Sequence, residues 1–396
     1  MSRASKRYLA WAALGLLTGA LALAAAGCGG GGSSSKSSEG TTTVGPTSIG
    51  KGEGALNLIE WPYYSDPKFA NTFEKNTGCK IHRKDAGSSN QMVSLMRTGG
   101  GGGGGQWDLV SASGDASLRL IRGGDVKPVN IKLIPSWNDF IPIFKSPAHN
   151  TVDGKHYGVS LQWGPNVLLY NTTKIKPGPT NWGALYDPKY KGQITIPNNP
   201  IQIADAALYL SKTKPALGIK DPYELNSAQL HAAVLLLKGQ RPLIKAYWAF
   251  ATDEAKIFQT GGATLGAAWP LAVAQLTRSG MKVSQTIPKE GATGWSDVWM
   301  LAKHPKNLPC AQAWLKYASG AKVQAEVAKF NTYTPANLQS CKALGATLCK
   351  QLHADGDTAY LNRIKFWKTP LSDCGNGKNE CAPYSEWVQA WTSIKG

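Results

Sequence analysis

Residues 55–112 read ALNLIE (55–60), WPYYSDPKFANTFEKNTG (61–78), CKIHRKD (79–85), AGSSNQMVSLMRT (86–98), a run of seven glycines (99–105) and QWDLVSA (106–112). Ala55 to Glu60 has the apolar, β-compatible pattern of a strand. Ser65-Asp66-Pro67 then supplies an N-cap and a first-turn proline for a helix carrying Phe69 and Phe73. Gly78 stops that helix, Lys80 to Lys84 reads as a second strand, and Met92, Leu95 and Met96 mark a second helix ending at the glycine run. Asp108 to Ala112 is a third strand. Strand, helix, strand, helix, strand is the order of a parallel sheet with helices on its faces, so the fold class is α/β. The glycine run follows a helix instead of opening one, and no Gly-Lys-Ser/Thr follows it, so it is a loop expansion and not a phosphate cradle.

Outward from this stretch, helices are expected at 203–211 and 228–238, a strand at Ala263–Trp269, a helix at 271–279 and helical structure from Cys310 to Phe330. The last fifty residues read as loop-rich. A chain of 396 residues suits about two domains.

The first 27 residues have the form of an export signal: Arg3, Lys6 and Arg7, then an apolar stretch from Leu9 to Ala26 that ends in small residues. Ala25-Ala-Gly-Cys28 resembles a lipobox, which makes Cys28 the expected site of lipidation and the membrane the expected anchor, although position 25 departs from the usual Leu. An uncleaved signal is the competing reading. Residues 28–53 are rich in Gly, Ser and Thr and read as a flexible linker. With Cys28 set aside, Cys79, Cys310, Cys341, Cys349, Cys374 and Cys381 form an even set in an exported chain, and three disulfides are expected. Short loops favour Cys341 with Cys349 and Cys374 with Cys381, leaving Cys79 for Cys310, among fifteen pairings that six cysteines allow.

The formal charge is +18, spread along the chain and not in blocks, which fits attraction to an anionic envelope surface and gives nucleic-acid binding little support. No catalytic, dinucleotide or metal-ligand spacing is present in the sequence, so neither cofactor nor metal is expected and a binder is favoured over an enzyme.

Five segments carry a resemblance: Trp61-Pro-Tyr-Tyr, Asp108-Leu-Val-Ser-Ala-Ser-Gly-Asp115, Gln162-Trp-Gly-Pro-Asn, Pro288-Lys-Glu-Gly-Ala-Thr-Gly-Trp-Ser-Asp297 and Tyr333-Thr-Pro-Ala-Asn, together with Phe366-Trp-Lys-Thr-Pro. In this order, the chain resembles the spermidine/putrescine type of periplasmic substrate-binding protein of ABC transporters, from residue 55 to about 395. The resemblance implies a Venus-flytrap fold, two α/β lobes joined by crossing strands. Lobe 1 would take 54–168 plus 297–342, and lobe 2 would take 169–296 plus 343–396. It implies a monomer that closes on a small amine and presents it to a membrane permease. Cys79 and Cys310 would then share lobe 1.

Family binding positions fall on Trp61, Tyr64, Ser113, Asp115, Asn199, Gln202, Trp269, Trp295, Asp297 and Tyr333. Carboxylates for ammonium groups and aromatic faces for cations and methylenes are what a polyamine requires. Asp297 is the expected anchor of an ammonium. Asn199 and Gln202 stand where the family has two carboxylates, and Asp115 stands where it has a Tyr, which favours a shorter or singly charged ligand. Structural roles compete: Trp269 and Tyr333 as core aromatics, Asp115 as a helix cap, Asn199 and Gln202 as helix-start residues. Two other functions are a clamp for an amino-phosphonate or another small anion, which needs a cationic pocket, and an anchored hydrolase using Asp115 or Asp297.

Overall fold

The computed structural model describes residues 48–99, 105–374 and 376–396; the expected signal segment, Cys28 and most of the linker lie outside them. The opening stretch folds close to the expectation. Strand β1 (Ala55–Glu60) pairs in parallel with β2 (Lys80–Asp85) and β3 (Leu109–Ala112). Helix α1 (Pro67–Thr77) starts where the Asp66 side chain accepts the Lys68 N–H and ends at Gly78, whose φ of 74° needs a residue without Cβ. Helix α2 (Ser89–Thr98) is capped by Ser88 and buries Met92, Val93 and Met96. Helix α3 (Gly114–Arg122) follows β3 directly.

These strands form one side of an eight-stranded sheet. Beside β3 runs the eleven-residue strand Ala292–Ala302, antiparallel to β3 and to Gly158–Pro165. All eleven of its residues are buried, polar Thr293, Ser296 and Asp297 among them, so the strand is covered on both faces and its burial does not alternate. A second sheet of five strands is ordered Ile244–Trp248, Ile194–Pro197, Leu265–Ala268, Val167–Asn171, Val283–Thr286. Helices α4 (Ile203–Thr213), α5 (Ser227–Gln240), α6 (Ala251–Gln259) and α7 (Pro270–Arg278) belong to this half.

The chain passes from the first sheet to the second at Asn166, the one residue between Gly158–Pro165 and Val167–Asn171. It returns through 287–291 into Ala292–Ala302. A buried polar cluster holds the crossings together: the Asn166 amide donates to Asp205, Gln202 and Thr293, and Thr293 donates to Asp205. Burial pushes the Asp205 carboxyl up to about 7, against the pull of those two donors.

The helical stretch expected from Cys310 to Phe330 is present, with one break, and the expectation for the tail needs correction. Residues 308–331 are two helices, Leu308–Ala318 and Ala321–Asn331, because Ser319-Gly320 turns the chain between them. The C-terminus is not all loop: Tyr384–Lys395 is a twelve-residue helix whose Trp387, Trp391 and Ile394, spaced i, i+4, i+7, are buried, and it packs on α5. The tail divides its partners, since Ile364–Phe366 adds in parallel to Ala292–Ala302 of the first sheet. Cys79 bonds Cys310, Cys341 bonds Cys349 and Cys374 bonds Cys381.

Candidate functional site

The carboxyl ends of the parallel strands in both sheets face a common cleft of about 280 Å³, the place where open α/β sheets hold ligands. Trp61 follows β1, Asp85 ends β2 and Ser113 follows β3. From the second sheet, Phe250 precedes α6 just after Ile244–Trp248, and Trp269 caps α7 just after Leu265–Ala268. The local chain explains these positions: each strand ends in a short turn into a helix, so the residue at the junction faces the neighbouring lobe.

Seven of the ten expected residues line the cleft: Trp61, Tyr64, Ser113, Trp269, Trp295, Asp297 and Tyr333. Trp295 and Asp297 lie two apart on the strand Ala292–Ala302 and therefore share a face. The pairing of this strand with Gly158–Pro165 shifts register between Asp297 and Val298, an irregularity of the kind that re-aims a side chain. Asp297 is 3% exposed. Its two oxygens accept from the hydroxyls of Ser113 and Tyr64. Ser113 Oγ in turn accepts the Trp61 indole N–H at 3.1 Å, while Ser111 Oγ accepts the Trp61 backbone N–H at 2.9 Å. Burial pushes the Asp297 carboxyl up to about 7, opposed by the Ser113 and Tyr64 hydrogen bonds and reinforced by Asp115. Burial, and then the charge of Asp297, hold the Tyr64 and Tyr333 phenols well above their usual range, so both are neutral donors at physiological pH.

Eight of the fifteen lining residues are aromatic. Trp295 meets Tyr333 edge to face at 4.3 Å, and Trp269 meets Trp61 at 5.9 Å and Trp248 at 4.7 Å. The Trp61–Trp269 contact joins the two lobes across the cleft. No Lys, Arg or His is among the lining residues, and the carboxylates are Asp297 and Asp85. The arrangement offers negative charge at the floor, aromatic faces on the walls and no cationic side chain for an anion.

Asp115, Asn199 and Gln202 are placed elsewhere. Asp115 is wholly buried on α3 and accepts from the Ser89 hydroxyl at 2.8 Å; burial raises its pKa, with Ser89, Arg119 and Asn199 opposing. Asn199 caps the turn before α4 by accepting the Ile201 N–H at 3.3 Å. Gln202 accepts from Asn166 in the crossing cluster. That cluster reaches the cleft through Trp367, which lines it and whose indole N–H donates to Thr293 Oγ1 at 3.3 Å.

Sequence reasoning missed Tyr63, Asp85, Phe250, Thr252, Leu271 and Trp367 as lining residues. Tyr63 and Trp367 sit inside segments that carried the resemblance, so the signal was present. Tyr63 also has φ 79°, a conformation that costs about 1–3 kcal/mol in a non-glycine residue and collects at ligand sites. Phe250 and Asp85 carry no local signal.

A family model described as bacterial extracellular solute-binding protein matches residues 68–345. The spermidine/putrescine-binding periplasmic protein of Escherichia coli (strain K12) is 23% identical over 307 residues, covering 76% of this chain and 84% of the relative. A putrescine-binding periplasmic protein of the same organism is 25% identical over 297 residues, covering 71% and 78%. Among solved structures, the spermidine/putrescine substrate-binding protein PotD of Streptococcus pneumoniae superposes with a TM-score of 0.67 at 18% identity, covering 86% of this chain and 99% of that one. MotA of A. tumefaciens B6, in complex with glucopine, does so with 0.69 at 15% identity, covering 86% and 100%. These likenesses establish the two-lobed periplasmic-binding-protein fold, and the neighbours' ligands differ from one another. With the family model spanning most of its length, the chain belongs to the bacterial extracellular solute-binding protein family.

Proposed function

We propose that the chain is the exported substrate-binding component of an ABC importer and captures a short polyamine or related small amine, putrescine being the simplest, between its lobes. The observation that carries this reading is Asp297, buried at the floor of an aromatic cleft with no cation among its lining residues. An ammonium would replace the missing countercharge, and the Trp and Tyr faces would take its remaining positive edge and the methylenes. Trp61, Tyr64, Ser113, Trp269, Trp295 and Tyr333 serve as contacts. Asp115, Asn199 and Gln202 act from behind, holding α3 and the crossing cluster. Closure is favoured because a ligand bridging both lobes makes its full contacts only when the lobes are shut. The reading includes lipid attachment at Cys28, a single-chain clamp and delivery to a permease.

A second reading, an ω-amino acid, is supported by the N-termini of α6 and α7, whose Ala251, Thr252 and Leu271 line the same cleft and favour a carboxylate. Calorimetry of the chain from residue 51 against putrescine, spermidine, γ-aminobutyrate and 2-aminoethylphosphonate separates the alternatives. One-to-one saturation by an amine, without product on prolonged incubation, is expected. Saturation by the phosphonate alone would sink the amine reading, and turnover would sink the binder.

The titration of Asp297 sets a pH dependence. The cation needs the ionised carboxylate, whose pKa in the empty cleft is about 7, and the bound ammonium lowers that pKa, so binding releases a proton. Affinity should therefore rise with pH, by up to about tenfold per unit below 7, and level off above about 8, where alkylammonium groups are still charged. Affinity that is flat or falling between pH 6 and 8 would exclude Asp297 as the anchor.

A further inference from the structure

Asp85 ends β2 and lines the same cleft as Asp297, on its exposed side where Asp297 is buried. Its side chain is exposed and makes no hydrogen bond or ion pair among the described residues. Arg83, two residues earlier, donates instead to the Ser65 carbonyl at 2.9 Å. Glu60 is the register partner of Asp85 across β1 and β2 and is wholly buried; burial pushes its carboxyl up to about 8, so at neutral pH it is largely uncharged. Of this register pair, Asp85 is the carboxylate that lines the cleft.

The second lobe meets the cleft here. The Phe250 ring rests on Gly87, two residues beyond Asp85, so closely that a Cβ at Gly87 would lie 2.8 Å from the ring. Phe250, Thr252 and Asp85 line one cavity with Asp297, and the aromatic rings of Trp61, Trp269 and Tyr63 lie among them. The cleft therefore has two carboxylates among its lining, exposed Asp85 and buried Asp297, both supplied by the first lobe, whereas Asn199 and Gln202 of the second lobe carry no charge and do not line it.

We propose that Asp85 is a specificity-determining residue that receives the outer ammonium of a short α,ω-diamine whose inner ammonium rests on Asp297. This rests on the reading of the cleft as an amine site. It makes two charges separated by a methylene chain the preferred ligand, with one carboxylate per charge. Because Asp85 is exposed at the rim, its effect is smaller than that of the buried Asp297 and is screened by salt.

The test compares putrescine with 4-amino-1-butanol, which has the same length and one charge, by calorimetry on the wild-type chain, Asp85→Asn and Asp297→Asn. Asp85→Asn should weaken putrescine about threefold to tenfold and leave the amino alcohol within about twofold, whereas Asp297→Asn should weaken both. Raising the salt concentration should shrink the difference between wild type and Asp85→Asn. An equal loss for both ligands in Asp85→Asn, as a role in lobe closure alone would give, overturns the assignment, and so does no loss for either. If neither amine saturates the wild-type chain, the amine reading itself fails and this assignment falls with it. Thermal melts of the variants at or above the wild-type midpoint would show that the differences come from the site and not from unfolding.

Discussion

Asp297→Asn is expected to weaken the binding of a small amine by about 2–5 kcal/mol, roughly thirtyfold to several thousandfold, while leaving the empty protein as stable as the wild type or more so. The two effects separate because the carboxylate is costly without its ligand. Burial lifts its pKa to about 7, and among the described residues its hydrogen-bond donors are the two hydroxyls of Ser113 and Tyr64. An amide of the same shape has no charge to desolvate, and the hydroxyls can rotate to meet it. When an ammonium enters, the amide offers a dipole where the carboxylate offers a full charge, inside a cleft whose walls are largely aromatic and where screening is weak. Calorimetry and a thermal melt on the same sample check both halves. A loss smaller than about threefold would show that the cleft does not read a cation at Asp297.

Removing the Cys79–Cys310 bond by a double Cys→Ala substitution is expected to destabilise the fold far more than removing Cys374–Cys381. The first bond closes a segment of 231 residues and the second one of 7. On the chain-entropy estimate the long loop is worth about 5 kcal/mol and the short one about half that. The long bridge joins the start of β2 to the helix Leu308–Ala318, and both its cysteines are buried. Gly52 packs against its sulfurs, so the chain leading into β1 loosens with it. Denaturant midpoints of the two variants under oxidising conditions give the comparison. An equal or larger loss from the seven-residue loop would contradict a loop-length origin.

The opening βαβαβ unit was legible almost to the residue because its signals are local. A cap at Asp66, a glycine at Gly78 and the spacing of Phe69, Phe73, Met92 and Met96 act within one turn of helix. The break at Ser319-Gly320 and the helix Tyr384–Lys395 were missed for different reasons. Two helices in sequence share one apolar rhythm across a short turn, and cysteines and prolines near the tail hid the spacing of Trp387, Trp391 and Ile394. At the site, Trp295 and Asp297 were found together because a strand puts alternate residues on one face. Asp115, Asn199 and Gln202 were expected at the site from the resemblance alone, yet they are not among the residues lining the cleft and are tied to Ser89, Ile201 and Asn166.

By itself, the sequence determined the α/β class, the elements of the first sheet and the residue types available to a ligand, since periodicity, caps and cysteine spacing act over short stretches of chain. Only the tertiary structure decided that Asp85 and Asp297, 212 positions apart in the numbering, share one cavity, that Phe250 closes on Gly87, and which polar residues face the cleft or the crossing cluster. Such proximity depends on how two sheets pack through Asn166 and the strand Ala292–Ala302, and burial, which sets the charge of Asp297, exists only once they have packed.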